Sequence, residues 1–165
     1  MATFIKIASV TVGSNAPQSI DFTSIPNTYT DLVIKASVRK LESGGAVNLQ
    51  MLLNGSTSGY IQKAILNASS FSDNTELSLM YVTSASNASN TFNNAEIYIP
   101  NYAASTNKSV SVDSVTEDNA TANIMSLMAG LWSNSAAINQ ITLRVYSPNT
   151  LTQNSTFTLY GINKS

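Results

Sequence analysis

The chain has 165 residues, 8 basic and 9 acidic side chains, no histidine and no cysteine, while 25 Ser, 17 Thr and 19 Asn supply over a third of it. These counts exclude disulfides, thiolate nucleophiles, cysteine metal sites, an imidazole base and the common transition-metal ligand. A formal net charge of −1 argues against a nucleic-acid partner, which needs a basic face; no apolar run approaches the ~18–20 residues of a membrane span, and no glycine-rich phosphate loop marks a cofactor site.

In chain order the periodicity favours strands. Met1 to Val12 carries Thr3, Lys6 and Ser9 within its apolar stretch and predicts a strand rather than a signal peptide, with Phe4, Lys6, Ala8, Val10 and Val12 on one parity. Leu32, Ile34, Ala36 and Val38 alternate with Val33, Lys35, Ser37 and Arg39, the pattern of a half-buried strand. Further strands are predicted at 48–53, 60–66 and 77–82. Glu96 to Asn101 follows, closed by Pro100, which cannot donate to a ladder. Ser109 to Val115, Ile124 to Trp132, Ile141 to Tyr146 and Thr156 to Gly161 complete the set. Ile124–Trp132 is the most apolar and is placed centrally, buried on both faces. Gly13-Ser14-Asn15, Asn54-Gly55-Ser56, Ser72-Asp73-Asn74 and Ser147-Pro148-Asn149 are among the turn formers between them. The fold class predicted is all-β: one antiparallel β-sandwich over residues 1–165, jelly-roll-like.

Segment 83–94 is almost entirely Ser, Ala, Asn and Thr and predicts a long exposed loop. Seven Asn-X-Ser/Thr sequons, at Asn54, Asn67, Asn87, Asn107, Asn119, Asn154 and Asn163, are what this composition produces by chance. Carboxylates are the one acid–base route left. Asp113, Glu117 and Asp118 form the densest acidic cluster, a weak calcium candidate without EF-hand spacing and a poor candidate for a glycosidase pair. Trp132, the sole tryptophan, ends the most apolar run and is expected in the core or an interface. With Tyr60, Tyr81, Tyr98 and Tyr102 it also raises a carbohydrate-binding reading. No catalytic residue is assigned.

Several segments resemble small virion structural proteins of tailed bacteriophages, especially phages of marine bacteria and cyanobacteria. They are Ile7-Ala8-Ser9-Val10-Thr11-Val12, Ile20-Asp21-Phe22-Thr23-Ser24-Ile25-Pro26, Tyr29-Thr30-Asp31-Leu32, Leu53-Asn54-Gly55-Ser56-Thr57-Ser58 and Glu96-Ile97-Tyr98-Ile99-Pro100-Asn101-Tyr102. Asn107-Lys108-Ser109 through Asp113-Ser114-Val115, Gly130-Leu131-Trp132, Ala137-Ile138 with Ile141-Thr142-Leu143, and the ending Leu159-Tyr160-Gly161-Ile162 continue it. The resemblance implies a β-sandwich built into a phage particle. A chain starting at its own Met1, without an anchoring helix or collagen-like stem, favours a decoration (cement) protein on the capsid exterior, bound to the major capsid protein and to itself as a homotrimer. The alternative is a tail-fibre or spike module that binds host surface polysaccharide. Phe4, Lys6, Pro26, Tyr29 and Trp132 are the candidate partner contacts.

Overall fold

The computed structural model describes residues 3–67, 69–73, 76–116 and 124–163. Among them are twelve strands and no helix: β1 (Thr3–Thr11), β2 (Ser19–Phe22), β3 (Asp31–Val38), β4 (Val47–Leu53), β5 (Tyr60–Leu66), β6 (Ser69–Asp73), β7 (Leu77–Val82), β8 (Asn93–Ile99), β9 (Lys108–Thr116), β10 (Ile124–Trp132), β11 (Ile141–Val145) and β12 (Thr156–Asn163). They make two antiparallel sheets. The larger runs β1-β12-β3-β8-β9-β10-β5-β6 and the smaller β2-β11-β4-β7. The chain changes sheet at nearly every connection; only β5–β6 and the meander β8–β9–β10 stay within one. The two sheets enclose one cluster of buried apolar side chains, with β7 packed across onto β5, β8, β9 and β10.

The period-two pattern forms the sandwich because each strand has one apolar parity to bury. In β9, Val110 and Val112 point into the core while Ser109, Ser111 and Asp113 face solvent. Leu32, Ile34 and Val38 of β3 and Ile97 and Ile99 of β8 do the same. Buried polar side chains tie the sheets together. Gln62 of β5 accepts the Ser78 N–H of β7 at 2.7 Å. Asn93 of β8 donates to the Tyr81 carbonyl and, at 2.8 Å, to Thr116 Oγ1, while its Oδ1 accepts the Thr83 N–H.

Four features differ from the sequence expectation. The parity predicted for β1 breaks at a bulge between Lys6 and Ala8. Phe4 and Lys6 pair with Ile162 and Tyr160 on the outer face, whereas Ala8 and Val10 pair with the inward Leu159 and Phe157. β2 and β6 are strands where none was predicted, and β6 runs into the turn expected at 72–74. Asn54 and Gly55 do form a tight turn, at φ 51° and 70°, closed by Ser56 N–H to the Leu53 carbonyl at 3.0 Å. It joins strands of different sheets rather than a hairpin.

The fourth is segment 83–94, which is anchored rather than simply exposed. The Arg39 guanidinium, itself buried, donates to the carbonyls of Ala88 at 2.6 Å, Thr91 at 2.9 Å and Asn87 at 3.1 Å, and to Thr91 Oγ1. Ser84 Oγ reaches the Gly44 carbonyl at 2.6 Å and Ser86 Oγ accepts the Gly44 N–H. The low-complexity segment is thereby tied to the turn after β3.

Candidate functional site

β10 decides where a site lies. Its inward residues Met128 and Trp132 are buried, but its outward Met125 and Leu127 are both 58% exposed, so the strand expected to be covered on both faces is covered on one. The neighbouring strands give the reason. β10 pairs with β9 and β5, and the outward parities of those strands carry Ser111, Asp113 and Lys63; a layer over β10 would also bury those charges. Ile61 and Ile65 of β5 stand on the same open face, 52% and 56% exposed.

The registers arrange this face in rows. Asp113, Leu127 and Ile65 lie side by side across β9, β10 and β5, and Ser111, Ala129 and Lys63 form the next row. They line a groove of about 760 Å³, bounded on β8 by Glu96 and Tyr98. Glu96 is ion-paired with Lys35, its cross-strand partner on β3. Lys63 and Asp113 have no ion-pair partner among the described residues. An open apolar strip with opposite charges at two corners is suited to docking another surface.

The candidate partner contacts separate. Phe4, Lys6 and Pro26 are exposed. Phe4 lies edge-on to Tyr160, with centroids 6.4 Å apart, and Lys6 pairs with Tyr160 across the ladder. Tyr29 is half-buried and packs over Gly161, where a Cβ would fall 2.3 Å from its Cγ. Trp132 takes the core place of the two expected for it, buried and stacked on Tyr60 at 6.1 Å and 24°, which corrects its role as a partner contact, since it presents no face to a partner. Tyr60 in turn accepts the Leu53 N–H at 2.9 Å and donates to the Ser56 carbonyl. Burial raises its pKa above the ordinary tyrosine value, against the pull of those two hydrogen bonds.

Of the acidic candidates the described residues include Asp113 alone. Asp113 is exposed on the outer face beside Glu96, and Glu117 and Asp118 lie outside the described residues. Among the described residues no group of three or more carboxylates gathers as a metal site. Comparison with protein-family models, curated proteins and solved structures found no match.

Three buried cations among the described residues were not singled out from sequence: Arg39, Lys108 and Lys40, whose ammonium donates to Asn149 Oδ1 at 3.0 Å. Arg39 anchors segment 83–94, as above. Lys108, fully buried at the start of β9, donates to the carbonyls of Ala104 at 2.8 Å, of Thr106 and of Asn134. Burial pulls its ammonium pKa below the usual lysine value. Its acceptors are loop carbonyls, so its work is to hold the 100–107 and 133–134 turns. The signal for the outer face was present: Ile61, Lys63 and Ile65 share one parity, as do Met125 and Leu127.

Proposed function

We propose that this chain is a structural component of a bacteriophage particle, a decoration protein that binds over the major-capsid shell and bridges its subunits. The segmental resemblance supports the address. The observation that carries an assembly role is β1: a nine-residue strand at the outer edge of the large sheet, open on its free side and exposed over most of its length, with Phe4 57% exposed. An edge of that kind offers unpaired backbone groups to an extended segment of a partner. The Lys6/Ala8 bulge and the Lys6 charge restrict unguided pairing, which suits an edge reserved for one partner.

The strand order supports a jelly-roll reading. The sheet β2-β11-β4-β7 faces β3-β8-β9-β10-β5-β6, the wrapped arrangement of a jelly roll in which a three-strand meander replaces one strand and β1 and β12 widen the sheet. The polysaccharide alternative has less support. Trp132, Tyr60 and Tyr102 are spent in the core; of the remaining Tyr81 and Tyr98, both half-buried, Tyr98 alone lines the groove among the described residues.

The test is co-sedimentation with empty shells of the major capsid protein, together with mass spectrometry of purified heads and tails. The expected result is a fixed copy number per capsomer on heads, and shell binding weakened about tenfold by Phe4→Ser. Presence in tails alone overturns the proposal.

A further inference from the structure

We propose that the outer face of β9, β10 and β5 is the seat of a second copy of this chain, docked face to face about a two-fold axis. The inference does not depend on the particle reading. Its ground is that the face is complementary to itself in both hydrophobicity and charge.

The two charges that have no ion-pair partner among the described residues occupy opposite corners of the strip. Asp113 is on β9 in the row of Leu127 and Ile65, and Lys63 is on β5 in the row of Ala129 and Ser111. A two-fold axis lying in the plane of the face, passing between Leu127 and Ala129 and tilted from the strands, carries the Asp113 position onto Lys63 and the Lys63 position onto Asp113. One operation therefore makes two Lys63–Asp113 ion pairs at the ends of the contact. The same operation sets Ile65 of each copy over Leu127 of the other, apolar on apolar. Because the axis is oblique to the strands, the two sheets cross steeply, near the orthogonal class in which twisted sheets seat on one another.

Charge selects this occupant over others. A uniformly acidic or basic partner would satisfy one corner and oppose the other, and a neutral glycan would leave Ile61, Ile65, Met125 and Leu127 against water-seeking hydroxyls. A second copy covers the apolar strip and pairs both charges. The contact is isologous and closes at two copies, so the trimer implied by the resemblance would need a separate interface.

Sedimentation velocity over a concentration series tests it on the full chain. The wild type is expected to dimerise reversibly, and Leu127→Asp to abolish the dimer with circular dichroism unchanged. Lys63→Glu and Asp113→Lys should each weaken the dimer about tenfold, and more at low salt than at high. Combining the two substitutions exchanges the charges and should return the dissociation constant to near wild type. A wild-type monomer across the series overturns the inference, as does a double charge variant no tighter than either single one. A protein that stays monomeric yet is retained on host polysaccharide also overturns it. Heads that carry monomeric protein at fixed copy number would overturn this contact and leave the decoration reading standing.

Discussion

Tyr29 and Gly161 show how a single residue closes one end of the sandwich. The Tyr29 ring lies against the backbone of Gly161 in β12, where an added Cβ would approach its Cγ and Cδ atoms at 2.3–2.7 Å. The backbone that carries this ring is fixed as well, its Tyr29 N–H lying 3.4 Å from the Tyr102 hydroxyl, which itself donates to the Pro26 carbonyl. Gly130 looks similar, with an added Cβ 2.5 Å from an atom of Leu77. The atom there is the far end of the buried Leu77 side chain, which a small χ change can shift, rather than a rigid ring. Gly161→Ala is therefore expected to cost about 1–3 kcal/mol and Gly130→Ala under ~1 kcal/mol, measured by urea denaturation. In the Gly161→Ala/Tyr29→Ala double variant the effects should fall short of additive by about 1 kcal/mol. Equal costs at the two glycines would show that the Tyr29 ring is not the obstacle.

Elements are held where side chains reach their backbone, and in segment 83–94 Arg39 reaches three carbonyls at once. Arg39→Ala leaves three carbonyls and a hydroxyl without their charged donor, an expected loss of about 2–4 kcal/mol with faster proteolysis inside the segment. Arg39→Lys should recover less than half of it, because an ammonium lacks the fork that spans Asn87, Ala88 and Thr91 at once. Wild-type proteolysis rates in Arg39→Ala would refute the anchor. This segment also marks a boundary of what the sequence disclosed. Its Ser/Ala/Asn composition carries no trace of a guanidinium contributed from Arg39. The regular alternation of β3, β8, β9 and β12 was legible because each has one apolar parity and one core to fill. β2, with four residues, is too short to show a period. The β1 bulge reverses a parity that the residue string presents as continuous. β10 misled for a different reason: apolar residues on both parities look alike whether their second layer lies within the chain or in another molecule. The outer face was thus legible in its residues and illegible in its exposure, which the charges of β5 and β9 decide.

At the scale of the whole molecule, the missing histidine becomes a statement about pH. No side chain has an ordinary pKa near neutrality, and the shifts that folding imposes lie on either side. Burial raises the pKa of Glu42, but hydrogen bonds from the Thr150 hydroxyl and N–H and the charge of Lys40 outweigh it and hold the carboxyl below its ordinary value of 4.5. A depressed acid contributes stability that is complete above the ordinary value and is lost as pH falls through the folded one. On the alkaline side burial raises the pKa of Tyr60, Tyr98 and Tyr102 above 10.0, with Asp31 adding to the shift at Tyr98. Their neutral forms are favoured in the fold, so stability falls once pH exceeds the ordinary tyrosine value and the unfolded chain ionises first. Lys108 acts the other way: its depressed pKa withholds stability while it is charged and returns some as pH rises towards the lysine range. The Lys108 return is complete once pH passes the ordinary lysine value of 10.5, whereas the tyrosine loss continues up to the raised folded values. The urea midpoint is therefore expected to stay level from about pH 6 to 9, to fall below pH 4.5 and to fall above pH 10. Glu42→Gln should lower the plateau and remove part of the acid decline. A transition centred near pH 7 would contradict this, because no side chain of the chain ordinarily titrates there. A decline below pH 4.5 that Glu42→Gln leaves unchanged would move the acid-sensitive contact away from the Glu42–Thr150 pair.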